Sequence, residues 1–327
     1  MNKLKKSVLI SSFLTCAFCY TNAQEWNSSE GIPSQMSVTT IFVNNDELIA
    51  FGQKMWREEN KFFSEPKSYV SKDNGETWSE YINIDPKIST ANTLCISENR
   101  IITSGRKGET QLDWVGAVVY SDDNGEQWNE ATGLPTDIAI TNIKRINNDL
   151  FAFGQRQWRE GMNFFSEPKA YISKDNGTSW EEFIKITPEL SSVEAFSINN
   201  NRVMASGRHG AFQVDWKGAL FYSDDNGNAW AKASGIPEDV AITQIQPYED
   251  SIVAVGQREW RDGINFFSEP KSFISKDNGE TWEEFIAMDP ELTTSFSLCI
   301  RNGRIITSGR VDPSQMDQVG GVVYTDL

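Results

Sequence analysis

An all-β fold, a closed ring of six four-stranded sheets, is what this sequence predicts, and three observations predict it. The first is an internal period. Tyr69–Trp78 (YVSKDNGETW) recurs as Tyr171–Trp180 (YISKDNGTSW) and Phe273–Trp282 (FISKDNGETW), so Ser71, Ser173 and Ser275 stand 102 residues apart. The second is that each unit is itself double. A sister run, Tyr120–Trp128 (YSDDNGEQW) and Tyr222–Trp230 (YSDDNGNAW), sits between the copies, and the half-spacing alternates 50 and 52. The third is texture: short strand-like runs bounded by Asn, Asp and Gly, with no convincing stretch of helical periodicity. A fixed period of this size marks a solenoid or propeller, and six such units in a ring make a six-bladed β-propeller.

The third half-unit shows the elements in order. Its strands are expected at Ile138–Ile146, Leu150–Phe153, Ala170–Lys174 and Trp180–Ile184. Asn147-Asn148-Asp149 joins the first two, and Asp175-Asn176-Gly177 makes the tight turn between the last two. These residues tolerate positive φ, which short hairpin turns require.

The chain ends complete the ring. Met1 to Ala23 reads as a secretory signal: Lys3, Lys5 and Lys6 precede an apolar run from Val8 to Tyr20, and Thr21-Asn22-Ala23 is a cleavage site. Neither Cys16 nor Cys19 has a convincing lipobox, so plain export to the periplasm or medium is expected, with cleavage after Ala23 and lipid anchoring as the alternative. No later stretch approaches the ~20 apolar residues of a membrane span. The last residues, Tyr324-Thr325-Asp326-Leu327, begin a sixth copy of the tag, and Gln24-Glu25-Trp26-Asn27 ends one. Residues 24–327 number 304 (327 − 23), two short of three times 102. They are therefore expected to form one domain, whose N-terminal strand closes the last blade.

The tags also carry a resemblance. Ser-x-Asp-x-Gly-x-Thr-Trp is similar to the Asp-box, or bacterial neuraminidase repeat, of sialidase-like propellers. Five complete copies and the split sixth cover almost the whole mature chain. The resemblance implies a structural hairpin between the third and fourth strands, on the face opposite the family's usual active site. That role then falls to Ser71, Asp73, Gly75 and Trp78, and to Asp123, Gly125 and Trp128. It falls equally to Asp175, Gly177 and Trp180, to Asp225, Gly227 and Trp230, and to Asp277, Gly279 and Trp282. Asp122-Asp123-Asn124 fails the spacing of a calcium loop, and neither metal nor cofactor is expected.

Composition excludes some partners. The formal charge of −16 includes the three leader lysines, so the mature chain stands at −19 (−16 − 3). So acidic a chain is not expected to bind nucleic acid or an anionic membrane surface; a monomer is expected. Cys95 and Cys299 occupy equivalent positions where the middle repeat has Ser197. Their strands lie a whole unit apart, beyond the ~7 Å Cα separation of a disulfide, so buried free thiols are expected.

Function is sought on the face opposite the Asp-boxes. A long second-to-third-strand loop repeats there three times, with Trp56-Arg57-Glu58, Trp158-Arg159-Glu160 and Trp260-Arg261-Asp262 at its heart. Shorter loops run from Arg106 to Trp114, from Arg208 to Trp216 and from Arg310 to Gln318. A Trp beside Arg and an acid resembles a sugar platform: a flat apolar face flanked by fixed donors and acceptors. Alternatively each Trp lids its own loop while the Arg stacks on it or pairs with the acid. The candidate ligand-binding residues are the three triplets with Arg106, Arg208, Arg310, Trp114 and Trp216.

An active sialidase is expected to show three arginines, a Tyr–Glu pair, an Asp acid/base and an Arg-Ile-Pro motif. Here Gly31-Ile32-Pro33 lacks the Arg, and its repeats mark an inter-blade turn. Arg106, Arg208 and Arg310 are symmetry equivalents, whereas catalysis needs an asymmetric constellation. The conspicuous singleton is His209, matched by Lys107 and Val311. The sequence therefore predicts no catalytic residue, but an exported recognition module for a glycan, or for a protein, at this face. A divergent sialidase-like glycoside hydrolase and a protein-binding scaffold are the alternatives.

Overall fold

A computed structural model describes residues 24–59, 61–108, 115–160, 163–199, 201–209, 217–263, 265–311 and 319–327. The leader predicted at 1–23, Trp114 and Trp216 lie outside them. The strands form six antiparallel four-stranded sheets. Blade 1 comprises Met36–Asn44, Glu47–Glu58, Lys61–Ser71 and Ser79–Glu80. Blade 2 comprises Thr90–Ser97, Arg100–Lys107, Val115–Ser121 and Asn129–Glu130. Blade 3 comprises Ile138–Ile146, Asp149–Glu160, Asn163–Ser173 and Glu181–Glu182. Blade 4 comprises Ala195–Asn199, Arg202–His209, Lys217–Ser223 and Ala231–Lys232. Blade 5 comprises Val240–Tyr248, Ser251–Asp262, Asn265–Ser275 and Glu283–Glu284. Blade 6 takes Ser297–Arg301, Arg304–Arg310 and Gly320–Asp326, and its outer strand is Asn27–Ser28 from the other end of the chain.

That last pairing is the expected closure. Asn27 lies opposite Tyr324 and Ser28 opposite Val323. The Ser29 N–H donates to Val322 O at 2.8 Å, and the Thr325 hydroxyl donates to Glu25 O at 2.7 Å. Both chain ends thus share one sheet, and the ring has no unpaired break at blade 6.

Apolar residues run without alternation through the second strands, as in Leu48–Phe51 and Val203–Ala205, because both faces of each blade meet a neighbour. Six hydrophobic clusters result, one at each blade junction. Trp78, Trp180 and Trp282 are buried at the junctions 6/1, 2/3 and 4/5.

The Asp-box works as a self-capped turn. Ser71 Oγ donates to Asp73 Oδ1 at 2.8 Å and accepts from the Gly75 N–H at 2.9 Å. Asp73 Oδ1 also accepts from the Thr77 N–H at 2.9 Å, and Trp78 Nε1 donates to Gly75 O at 3.2 Å. Asn74 and Gly75 supply the two positive φ values, 60° and 92°. At Asp123 the Gln127 N–H, with the Ser121 hydroxyl, holds the carboxyl below the usual carboxylate range. Donors that recognise the ionised form have this effect.

Two further sets of contacts join blades with the 102-residue period. Inner strands bulge at Val38/Thr40, Ile140/Asn142 and Ile242/Gln244. The carbonyls of Val38, Ile140 and Ile242 accept from Ser308, Ser104 and Ser206 of the preceding blade at 3.0, 2.8 and 2.9 Å. On the Asp-box face, Arg100, Arg202 and Arg304 each grip the neighbouring turn. Arg202 Nε donates to Asp224 at 2.6 Å, Nη1 to Asn278 O at 3.1 Å and Nη2 to Glu280 at 3.0 Å, while the guanidinium lies 4.3 Å from the Tyr222 ring.

A cavity of about 380 Å³ runs along the axis between the inner strands. Lys144 enters it and donates to Phe196 O and Ile245 O, both at 2.9 Å, linking blade 3 to blades 4 and 5. Cys95 and Cys299 are free and buried beside it, and burial pushes both thiols up to about 12.

Candidate functional site

The repeated segments expected as long loops are strands. Residues 53–58 and 61–67 continue the second and third strands of blade 1 into a ribbon, paired residue by residue from Leu48↔Ser71 to Glu58↔Lys61. Blades 3 and 5 do the same, out to Glu160↔Asn163 and Asp262↔Asn265. The period in this region is therefore two, and the pleat sends neighbouring side chains to opposite faces.

This separates the expected triplets. Lys54, Trp56 and Glu58 share one face of the ribbon, with Trp56 Nε1 donating to Glu58 Oε1 at 3.2 Å. Arg57 stands on the other face and donates from Nε to Glu59 O at 3.0 Å. Arg261 is likewise separated by the pleat from Trp260 and Asp262, and the backbone of Arg159 and Glu160 continues the strand in the same alternation. A cation two residues earlier lies over each ring. Lys54, Arg156 and Arg258 lie 5.6, 5.4 and 5.6 Å from the centres of Trp56, Trp158 and Trp260.

Across the ribbon each Trp meets a Phe. Trp56–Phe63, Trp158–Phe165 and Trp260–Phe267 stack at 5.5, 5.4 and 5.6 Å, each pair within 17° of parallel. Such a pair contributes about 0.5–1.5 kcal/mol beyond burial, and an exposed cation–π contact about 0.5–1 kcal/mol. The aromatics thus stiffen the ribbon and still remain accessible: Phe63, Phe165, Phe267 and Trp260 are 38–43 % exposed. Exposed aromatics repeated on one face are the unusual feature of this surface.

The opposite face of each ribbon turns to the ring. Gln53 Nε2 and Ser64 Oγ donate to Ser89 O at 3.5 and 3.0 Å, and Ser166 Oγ donates to Ser191 O. Here the three candidate arginines part company. Arg106 Nη2 donates to Gln157 Oε1 at 3.2 Å. Arg310 lies 5.5 Å from the Phe296 ring. Arg208 is held by two carboxylates, Glu194 at 2.8 Å and Glu259 at 3.0 Å. Burial pushes the Glu194 carboxyl above the usual range, although Arg208 pulls the other way. Nearby, the His209 Nε2 and Gln257 Oε1 atoms are buried without a hydrogen-bond partner among the described residues.

A cavity of about 250 Å³ opens beside Arg208, between blades 4 and 5, lined also by Lys217, Glu238, Asp239 and Glu259. Glu238 is pulled down to about 2 by hydrogen bonds from Lys217 and Lys232, and Asp239 accepts from Arg258 Nε at 2.6 Å. None of Glu194, Lys217, Glu238 or Asp239 stands out in a reading that looks for what the repeats share. For Glu194, Lys217 and Glu238 the signal is the reverse, divergence from the equivalent positions, whereas Asp239 recurs as Asp137.

Comparison with known proteins places the fold. The BNR/Asp-box repeat profile matches residues 69–80 and 273–284. No curated protein matches the sequence itself. Among solved structures, a Dyadobacter fermentans protein of unknown function superposes with a TM-score of 0.67 at 13% identity, over 93% of this chain and 98% of its own. Trypanosoma rangeli sialidase gives 0.59 at 13% identity, over 94% of this chain and 58% of its own. An α-L-arabinofuranosidase from Fusarium graminearum also gives 0.59 at 13% identity, over 89% and 93%. At such identities the likeness shows the fold alone, a six-bladed propeller that here carries BNR/Asp-box repeats.

Proposed function

We propose that the propeller is an exported recognition module that binds glycans through the three ribbons opposite its Asp-boxes. One observation carries the reading: each ribbon offers the same stacked Trp–Phe pair, partly exposed, with a cation over the indole and carboxylates alongside. The ring edge and Phe supply apolar area for a sugar's C–H face, and the charged groups supply donors and acceptors for hydroxyls. Three weak sites on one rigid ring would gain about 10²–10⁴-fold by avidity on a multivalent surface.

The test is a glycan array probed with the wild type and with the triple variant Trp56→Ala, Trp158→Ala and Trp260→Ala. The expected result is binding by the wild type, reduced at least tenfold in the variant. Equal binding by both proteins, or none by the wild type, would sink the reading.

A second reading, a divergent glycoside hydrolase, draws on Glu194 and Glu259. Glu194 has the raised pKa of a general acid. Against it, both carboxylates lie on the same guanidinium, an arrangement that holds charge in place rather than passing a proton. Turnover of fluorogenic glycosides, abolished by Glu194→Gln, would favour the hydrolase.

A further inference from the structure

The three repeats are most alike in their hairpins and ribbons, and they diverge sharply where the second blade of each unit meets the next unit. At the 4/5 junction the cavity beside Arg208 is walled by Lys217, Glu238, Asp239 and Glu259, with Glu194 behind. The equivalents at the 2/3 junction are Val115, Thr136, Asp137, Gln157 and Asn92. At the 6/1 junction they are Val319, Ser34, Gln35, Met55 and Phe296. One scaffold position is thus fully charged at one junction, mostly neutral at the second and partly apolar at the third. The ring's threefold symmetry, which argued against a single functional centre, is broken here.

The charges at this junction are matched. Arg208 faces Glu194 and Glu259, Glu238 faces Lys217 and Lys232, and Asp239 faces Arg258. Arg258 also reaches Glu269 at 3.7 Å, and Glu269 pairs with Lys271, so among the described residues cations and carboxylates balance, five against five. A ligand with net charge would meet repulsion from one set or the other. A neutral ligand that both donates and accepts hydrogen bonds would find partners of both kinds.

Size and surroundings narrow the class. About 250 Å³ is below the ~300–1,000 Å³ of pockets that enclose drug-sized ligands, and suits a single sugar ring. Arg258 connects the cavity to an aromatic surface, since it binds Asp239 and also lies 5.6 Å from the centre of Trp260. Trp260 is the most exposed ribbon tryptophan, at 39%.

We infer that the 4/5 junction is the primary seat of this propeller and takes one neutral, polyhydroxylated sugar residue, with Trp260 receiving the adjoining part of the glycan. The inference rests on the glycan-binding reading above and adds to it that the three ribbons are unequal. The equivalent junctions are lower-affinity contacts for the rest of a multivalent surface.

The chain itself supplies the test variant. Glu194→Asn, Lys217→Val, Glu238→Thr and Glu259→Gln together graft the 2/3 junction onto the 4/5 junction, using residues that the same backbone already accommodates. A matched thermal melt verifies folding. Ligand-observed NMR would then compare wild type and graft against glucose, galactose, mannose and N-acetylglucosamine, with glucuronic acid and glucosamine as charged counterparts.

The expected result is that a neutral sugar binds the wild type in preference to the charged pair, and at least tenfold more weakly to the graft. Unchanged affinity in the graft, preference for a charged sugar, or no binding of any sugar in the panel would overturn the inference. The two proposals fail separately. Array binding lost in the triple Trp variant but kept in the graft removes the junction and leaves the ribbons. Sugar binding lost in the graft while the triple Trp variant binds the array normally removes the ribbons, Trp260 included, and leaves only the sugar seat at the junction.

Discussion

Gly31, Gly133 and Gly235 show how much of the ring depends on single backbone positions. Each precedes an Ile-Pro or Leu-Pro turn between blades, with φ of 91°, 85° and 92°. A Cβ at Gly133 would lie 2.0 Å from Trp180 O, next to the isolated parallel bridge between Thr132 and Ser179. Neither the positive φ nor the contact leaves room for a side chain. Gly133→Ala should therefore destabilise the fold by about 2–3 kcal/mol in denaturant unfolding; a change within ~0.5 kcal/mol would contradict the packing. The motif was legible in the sequence as an inter-blade turn, because its repeats removed any resemblance to a catalytic Arg-Ile-Pro. Less legible was the environment of each ribbon tryptophan. Adjacent letters suggested adjacent side chains, and only the strand pleat shows that Trp56 shares its face with Lys54 and Glu58 rather than Arg57.

At the scale of elements the Asp-boxes and the ribbons differ in how far pattern alone could reach. The box is a local device, closed within eight residues by Ser, Asp and Gly, so its hairpin could be read directly. The ribbons carry few turn signals and many polar residues, and they read as loops because strand character there comes from cross-strand pairing, such as Trp56 opposite Phe63. Inner strands hide a different surprise. Lys144 replaces the Phe42 and Gln246 of the other repeats, and desolvation in the axial cavity pulls its pKa down to about 8. An exposed lysine titrates near ~10.4. Between these values the unfolded chain holds a proton that the folded chain has lost, so stability rises with pH across that window. Below pH 8 both states are protonated and the desolvation cost is fully present. Lys144→Gln, which copies Gln246, should remove this contribution. The stability of wild type relative to the variant should climb between pH 8 and 10, with a slope of at most about 1.36 kcal/mol per pH unit; a difference that stays flat would show the ammonium to be well solvated.

For the whole molecule, the 102-residue period gave the number of blades, their order and the closure of blade 6 by Asn27–Ser28. It could not reveal a functional centre, because a repeat directs attention to what recurs. The centre proposed here lies where recurrence fails, at Lys217, Glu238 and Glu259, and it needs two blades brought together before it can be seen. A threefold scaffold with one differentiated junction predicts unequal sites. The most direct test is calorimetric titration of the wild type with a soluble, monovalent, neutral oligosaccharide taken from the array. One high-affinity site per chain, weakened at least tenfold by Trp260→Ala and little changed by Trp56→Ala or Trp158→Ala, is the predicted result. Three equivalent sites, or equal losses from the three substitutions, would contradict it.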